Sequence, residues 1–316
     1  MKQPPHPYET TTMLQEANRL LGFSSDKTMK LAQELFDDGL ITYIRSDSTR
    51  VAPEARQEAA KFIREVYGPE YLPTEVLAGK QGAQDAHEAI RPTCILHKPK
   101  DLKSSLKNDQ LKLYRLIYNR FLASQMAPAE YLQITASLAG LNKKKRLIGS
   151  KEIRSLFTVT KQKLTFPGYR AVYIGQKGED PDPMVQVLKQ LDPGKKLEEI
   201  DIYQVAHQTE PPKHFTESSL IKQLDKLGIG RPSTYASIIK TLLNRDYAVL
   251  SKKYLEITDL GMEVIQVLEK VFPLIIDYKF TSRMENELDE IAAGKVAWQD
   301  VVRGVYSEIE KAKKIN

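Results

Sequence analysis

The densest run of polar side chains in the chain is Thr42-Tyr43-Ile44-Arg45-Ser46-Asp47-Ser48-Thr49-Arg50. Tyr43 and Arg45 stand two positions apart, so on an extended strand both side chains point to one face. That pairing suits phosphate chemistry. A guanidinium is permanently charged and grips phosphate oxygens in a bidentate fork. A phenol, with an ordinary pKa of about 10, becomes a better nucleophile beside fixed positive charge. Ser46, Asp47, Ser48 and Thr49 offer a helix cap or further phosphate donors. The competing reading of Tyr43 is an ordinary half-buried strand residue. With 15 tyrosines in the chain, composition alone favours that reading.

Two more clusters carry potential chemistry. In Asp85-Ala86-His87-Glu88-Ala89-Ile90-Arg91-Pro92-Thr93, His87 can donate to a phosphate or move a proton. Arg91, held extended by the following proline, can reach a nucleic-acid backbone. The same run also reads as a surface helix end with an acidic cap. His87 has no second His or Cys at metal-ligand spacing. In Gly228-Ile229-Gly230-Arg231-Pro232-Ser233-Thr234-Tyr235, glycines let the backbone approach a ligand, and free amides at a helix start favour anions. Arg231, Ser233 and Thr234 add donors. A well-capped turn between two helices explains the same residues. The basic run Lys143-Lys144-Lys145-Arg146 reads as a solvated turn.

The elements that must position these clusters follow from periodicity. After a Pro-rich opening, Met13, Leu14, Ala17, Leu20 and Leu21 lie at helical spacing, and Gly22 stops the helix. Met29, Leu31, Ala32, Leu35 and Phe36 define a second helix ending at Gly39, and Leu40 to Ile44 turns β-rich. Helix, turn, helix, strand is the outline of a winged helix-turn-helix. The outline returns with Leu220, Ile221, Leu224 and Leu227, a turn at Gly228 to Pro232, a helix through Ile238 and Leu242, and strands at 247–250 and 254–257 around a tip at Ser251-Lys252-Lys253. Such modules contact DNA, and they also serve as plain packing units. Between them, residues 131 to about 208 read mainly as β, with strands beginning at Tyr131 and at Leu156, Ala171 and Ile200, and a short helix at Val185 to Leu191. From about Thr258 the chain reads as helical, with Met262, Ile265, Val267 and Leu268 on one face and Met284, Leu288 and Ile291 on another.

Composition bounds the rest. A length of 316 residues suggests two or three domains. No apolar run approaches the roughly 20 residues of a membrane helix, and the N-terminal residues lack the apolar core of a signal peptide. A single cysteine, Cys94, excludes an internal disulfide framework and fits a reducing cytoplasm. The net charge of +6 tilts toward a polyanionic partner, either nucleic acid or an anionic membrane surface.

Taken together, the clusters resemble the bacterial type IA DNA topoisomerases. The run Gly39 to Thr49 is similar to that family's active-site signature, and Ala86 to Thr93 to a second signature. Phe215 to Leu220 with Gly228 to Ile239 resembles a third, and Tyr278 to Asp289 a fourth. The resemblance implies a multidomain, mainly α fold with some β: two winged-helix-like modules joined by a β-rich arch segment, part of a toroid. Residues 1–130 would be the lid bearing the tyrosine, 131–208 part of the arch, and 209–316 part of the DNA-gripping base. It implies that Tyr43 is the nucleophile, linking to the 5′ phosphate of single-stranded DNA, and that Arg45 holds the scissile phosphate. Asp47 takes a supporting role, and His87 and Arg91 lie near the bound strand. Arg231, Ser233, Thr234 and Tyr235 belong to the module that grips DNA. The implied reaction opens one strand, passes another and reseals, relaxing negative supercoils without ATP. The alternative is a tandem winged-helix protein that binds DNA without chemistry.

The resemblance also implies Mg²⁺ for the intact enzyme, bound by a Toprim domain that does not precede residue 1. The sequence thus reads as an internal core fragment that binds no metal itself and lacks the family's zinc-ribbon tail. Asp180-Pro181-Asp182 imitates acidic metal spacing within a Pro-rich loop. The expected partner is DNA, preferably single-stranded, with no membrane, and the expected location is the bacterial cytoplasm at the nucleoid.

Overall fold

The computed structural model describes residues 1–75, 79, 87–140, 147–148, 151–152, 155–174, 182–198 and 203–313. The chain forms two compact units. One gathers His6–Ala59, Leu77–Phe121 and Pro211–Asn316; the other gathers Met1–Pro5, Ala60–Val76 and Leu122–Glu210.

The unit with Tyr43 begins with an α-helix, Thr10–Glu16, that widens into a π-helical turn, Ala17–Leu21, and stops at Gly22 in the left-handed region (φ +68°). Glycine tolerates that conformation without a Cβ penalty. Ser24 caps the next helix, Ser25–Asp37, by accepting from the Lys27 amide. Both helices are amphipathic: Met13, Leu14 and Ala17 of the first, and Ala32 and Leu35 of the second, are fully buried. The second helix pair is Glu217–Leu227 and Tyr235–Asn244. Thr216 and Ser219 form a reciprocal capping box at its start, and Gly228 (φ +68°) ends the first helix. Leu14 packs with Ile221, Tyr235 and Ile239 in one buried cluster. A hairpin follows, Ala248–Ser251 with Tyr254–Ile257, turning at Lys252 and Lys253. Thr258 then caps Asp259–Val271, and Tyr278–Ala292 and Trp298–Lys313 complete the helices of this unit's C-terminal stretch.

Two sequence expectations change in this unit. Leu40 to Ile44 forms no strand; it bends at Leu40 and Ile44 and makes one isolated bridge, Ile41 to Pro92. The Arg91 amide turns to the Thr42 hydroxyl (3.0 Å), so the bridge does not extend into a ladder. In the Asp259–Val271 helix, Met262 and Val267 are exposed rather than part of the inner face. The inner stripe follows Gly261, which is buried, and the half-buried Val264, Ile265 and Leu268, and these four line an apolar cavity of about 420 Å³. That stripe keeps the i, i+3, i+4, i+7 spacing of one helix face.

The other unit is built on a long antiparallel ribbon, Glu130–Gly140 with Ser155–Phe166, with a register shift at Glu130/Tyr131. Cross-strand pairs tie it together: the Thr135 and Thr160 hydroxyls lie 3.0 Å apart, and Gln162 donates to Gln133 at 2.7 Å. Tyr71 packs its ring against Phe166, centroids 4.9 Å apart. Ala171–Ile174 is a helical turn, not the expected strand. The 3₁₀ turn Gly168–Arg170 feeds directly into it. A Cβ on Gly168 would stand 2.2 Å from the Pro128 carbonyl oxygen, so the chain turns there only because the residue is glycine. The short helix is Pro183–Lys189, capped by Asp182. Of the expected strand at 200–205, residues 200–202 lie outside the described residues, while Tyr203 to Val205 form no strand. The basic run 143–146 also lies outside them.

Candidate active site

The segment bearing Tyr43 is fixed by side chains rather than by a sheet. Thr10, at the start of its helix, donates its amide to the Ser46 carbonyl (2.8 Å) and its hydroxyl to the Ile44 carbonyl (2.7 Å). The Ser46 amide returns a bond to the Thr10 hydroxyl (2.9 Å). Ser46 donates its hydroxyl to the Glu88 carbonyl (2.7 Å), and Thr42 donates to the Ala89 carbonyl (2.7 Å). The Thr42 amide bonds the Arg91 carbonyl at 2.9 Å. These bonds fix the chain from Thr42 to Ser48, with a bend at Ile44 and Arg45. Ile44, Ser46 and Ser48 are therefore buried, while Tyr43, Arg45 and Asp47 alternate to the other side and line one cavity. The period of two anticipated for a strand survives without the strand.

That cavity, about 400 Å³, also receives His87, Arg231 and Ser233. The Tyr43 ring sits edge-on to Phe36 (centroids 5.6 Å) and tilted against His87 (5.0 Å). Among the described residues Tyr43 makes ring contacts only, leaving its hydroxyl without a protein partner. Arg45 is exposed and makes no ion pair among the described residues. A guanidinium two residues from a phenol, both lining one cavity, has the chemistry to bind a phosphate beside a hydroxyl that can attack it.

Arg231 reaches the cavity from the turn before Tyr235–Asn244. Its amide donates to the Thr234 hydroxyl (2.8 Å), and its Nη2 donates to the Asp289 carboxylate (2.6 Å). Thr234, not Ser233, occupies the N-cap of that helix, and Ser233 stays exposed at the cavity rim. Tyr235 is buried, its hydroxyl donating to the Gly230 carbonyl (3.3 Å). Burial pushes its phenol above the usual tyrosine range, Asp225 adds to that, and Arg231 opposes it. Tyr235 therefore acts as a neutral donor that shapes the turn, away from the cavity's chemistry.

Arg91 is not brought to the cavity. It is 9% exposed, forked onto Glu88 at 2.8 and 2.9 Å, and bonded to the Pro92 carbonyl (2.9 Å). The Glu88 carboxylate in turn accepts from the Ala52 amide (3.2 Å). Its charge fastens the segment that carries His87. Sequence reading also passed over two cavity residues, Glu285 and Asp289. The signal was present: two acids four positions apart share one face of the Tyr278–Ala292 helix.

Among the described residues no group of three or more His, Cys, Asp or Glu side chains is placed to hold a metal ion. Asp182 caps its helix and pairs with Lys161 (2.8 Å), and residues 180 and 181 lie outside the described residues. Among the described residues no donor set fits Mg²⁺. No helix among the described residues is long and apolar enough to cross a membrane.

A family model described as DNA topoisomerase matches residues 1–303. The chain belongs to the bacterial type IA DNA topoisomerases. It is similar in structure to full-length topoisomerase I from Thermotoga maritima, with 35% identity and a TM-score of 0.76. The match covers 98% of this chain and 50% of that one, so the chain spans about half the length of its relative.

Proposed function

We propose that this chain carries the strand-cleaving site of a topoisomerase that relaxes negative supercoils. The observation that supports this best is the convergence of Tyr43, Arg45 and Arg231 on one cavity from segments far apart in sequence. In this reading the Tyr43 oxygen attacks the phosphorus of a single-stranded DNA phosphodiester. The new bond joins Tyr43 to the 5′ phosphate, the bond to the 3′ oxygen breaks, and that oxygen takes up a proton as a 3′ hydroxyl. Arg45 neutralises the phosphate as charge gathers on its oxygens. His87 lies against the Tyr43 ring and orients it. Resealing reverses the exchange: one phosphoester replaces another, so the bond energy is kept in the covalent link and ATP is not needed.

We assign residues 1–130 to a lid, 131–208 to part of an arch, and 209–316 to part of a DNA-gripping base, with a helix pair at Thr10 to Asp37 that lacks the expected strand and a winged-helix module at Glu217 to Ile257. Ser233 at the cavity rim and the turn shaped by Thr234 and Tyr235 belong to the DNA grip, with Asp47 in support. The family implies Mg²⁺, with ligands in its Toprim domain, and no step above runs through it. The expected setting is the bacterial cytoplasm.

The test is a denaturing gel of single-stranded oligonucleotide labelled at its 3′ end, incubated with the full-length protein. A labelled adduct is expected with Tyr43 and none with Tyr43→Phe, while DNA binding stays near normal. An adduct that persists in Tyr43→Phe makes another residue the nucleophile. A protein that only binds DNA gives no adduct in either form.

A further inference from the structure

Arg231 is held, not free. The turn that carries it is over-determined: Gly230 sits at φ +84°, and a Cβ there would meet Thr234 Oγ1 at 3.1 Å and the Tyr235 ring at 3.3 Å. Beyond the turn, Nη1 donates to the Gly230 carbonyl (3.0 Å) and Nη2 to Asp289 Oδ2 (2.6 Å), with Glu285 Oε2 at 3.7 Å from Nη1. The Arg231 side chain is 26% exposed and that of Glu285 20%, while that of Asp289 is 44% exposed, so the guanidinium is partly screened from water and its main carboxylate partner reaches the surface. Of the five N–H donors on a guanidinium, two are taken here, and the rest remain for a ligand. An arginine fixed in this way meets a phosphate without having to order a long flexible side chain.

We propose that Asp289, seconded by Glu285, is a positioning residue for strand cleavage. It holds the Arg231 guanidinium at the wall of the Tyr43 cavity so that its remaining donors face the phosphate that Tyr43 attacks. This rests on the reading of Tyr43 as nucleophile. The arrangement carries a built-in opposition. A carboxylate beside a polyanion repels it, yet the same carboxylate sets the geometry of the cation that grips it. Removing the charge of Asp289 therefore moves binding and cleavage in opposite directions, which a merely structural ion pair does not do.

The experiment uses the full-length protein, 3′-labelled single-stranded oligonucleotide, and the variants Asp289→Asn, Asp289→Glu and Tyr43→Phe. For Asp289→Asn the expected result is an oligonucleotide Kd equal to or below that of the unmodified protein. Its adduct formation at saturating oligonucleotide is expected to be slower by roughly tenfold to a hundredfold, the scale of a misplaced catalytic group. Asp289→Glu, which restores the charge, is expected to recover most of the rate. An Asp289→Asn protein that forms adduct at the normal rate at saturation overturns the proposal, as does one whose only defect is a raised Kd. If Asp289→Asn does not fold, Glu285→Gln measured the same way is expected to show the same signs at smaller size, and an unchanged rate overturns the proposal. Loss of adduct in Tyr43→Phe beside a normal Asp289→Asn rate sinks this inference alone. Adduct in Tyr43→Phe sinks the reading of the site.

Discussion

The Glu217 carboxylate accepts two bonds from Ser25, one from the amide and one from the hydroxyl, each 2.7 Å long. Glu217 is 4% exposed, and Ser25 opens the Ser25–Asp37 helix. A carboxylate from the far end of the chain thus satisfies an orphan amide at a helix start and meets the positive end of its dipole.

Glu217→Ala leaves the Ser25 amide buried without an acceptor. The expected cost is about 1–3 kcal/mol of stability, read as a lower urea midpoint with an unchanged slope. Glu217→Gln keeps one acceptor and is expected to cost less. Equal midpoints for all three proteins would mean that this contact adds nothing to the fold.

Arg45→Ala is expected to slow adduct formation by about 10²- to 10³-fold without abolishing it, since a lost oxyanion-type donor typically costs about 2.7–4 kcal/mol. Single-turnover rates on the 3′-labelled oligonucleotide check this. Complete loss equal to that of Tyr43→Phe would give Arg45 a larger part than phosphate neutralisation.

The 316-residue chain is expected to bind single-stranded DNA more tightly than duplex of the same length, with affinity falling as salt rises. Fluorescence anisotropy at several salt concentrations measures both. Salt-independent binding, equal for the two forms, contradicts a phosphate-directed cavity.

Gly230→Ala places a Cβ on a backbone at φ +84° with three neighbours between 3.1 and 3.4 Å. The left-handed conformation alone costs roughly 1–2 kcal/mol in a non-glycine residue. Chemical denaturation is expected to show that loss, and single-strand affinity is expected to drop with it because the turn carries Arg231.

Alkaline pH is expected to destabilise the unit that contains Tyr235 and Tyr114. Both phenols are raised above the tyrosine value of 10.0, chiefly by burial, so the folded state prefers them protonated. The stability they contribute is intact below about 10 and is lost as pH climbs beyond it, once the unfolded phenols ionise. Unfolding curves between pH 8 and pH 11, with Tyr235→Phe for comparison, measure the effect. The variant is expected to lose less stability over that range.

That Tyr43 and Arg45 share one side of their segment was legible in the sequence from their two-residue spacing. The absence of the strand expected to carry them was not, because the facing Arg91 amide is taken by the Thr42 hydroxyl, a side-chain contact with no signature in the pattern. The helix pairs around Gly22 and Gly228 were readable from local periodicity and glycine stops. Arg91 misled for a physical reason: the sequence shows an arginine before a proline but not that Glu88 claims its guanidinium. The Arg231–Asp289 contact, 58 positions apart, has no local signature. Ala171 to Ile174 looked like a strand on β-branched composition, while the turn that makes it helical depends on the tight approach of Gly168 to Pro128.

The distance along the chain from Ser25 to Glu217 has a consequence for how the protein is made. The two are 192 positions apart, and Leu14 waits for Ile221, Tyr235 and Ile239 over a similar span. At roughly 5–20 residues per second on the ribosome, the first helices emerge about 10–40 s before the residues that complete them. During that interval a nascent chain exposes Leu14 and leaves the Ser25 amide and hydroxyl without the Glu217 carboxylate. The same delay keeps Tyr43 from meeting Arg231 until residue 231 has been synthesised, so a translation product cut short before it carries Tyr43 without the Arg231 wall of its cavity.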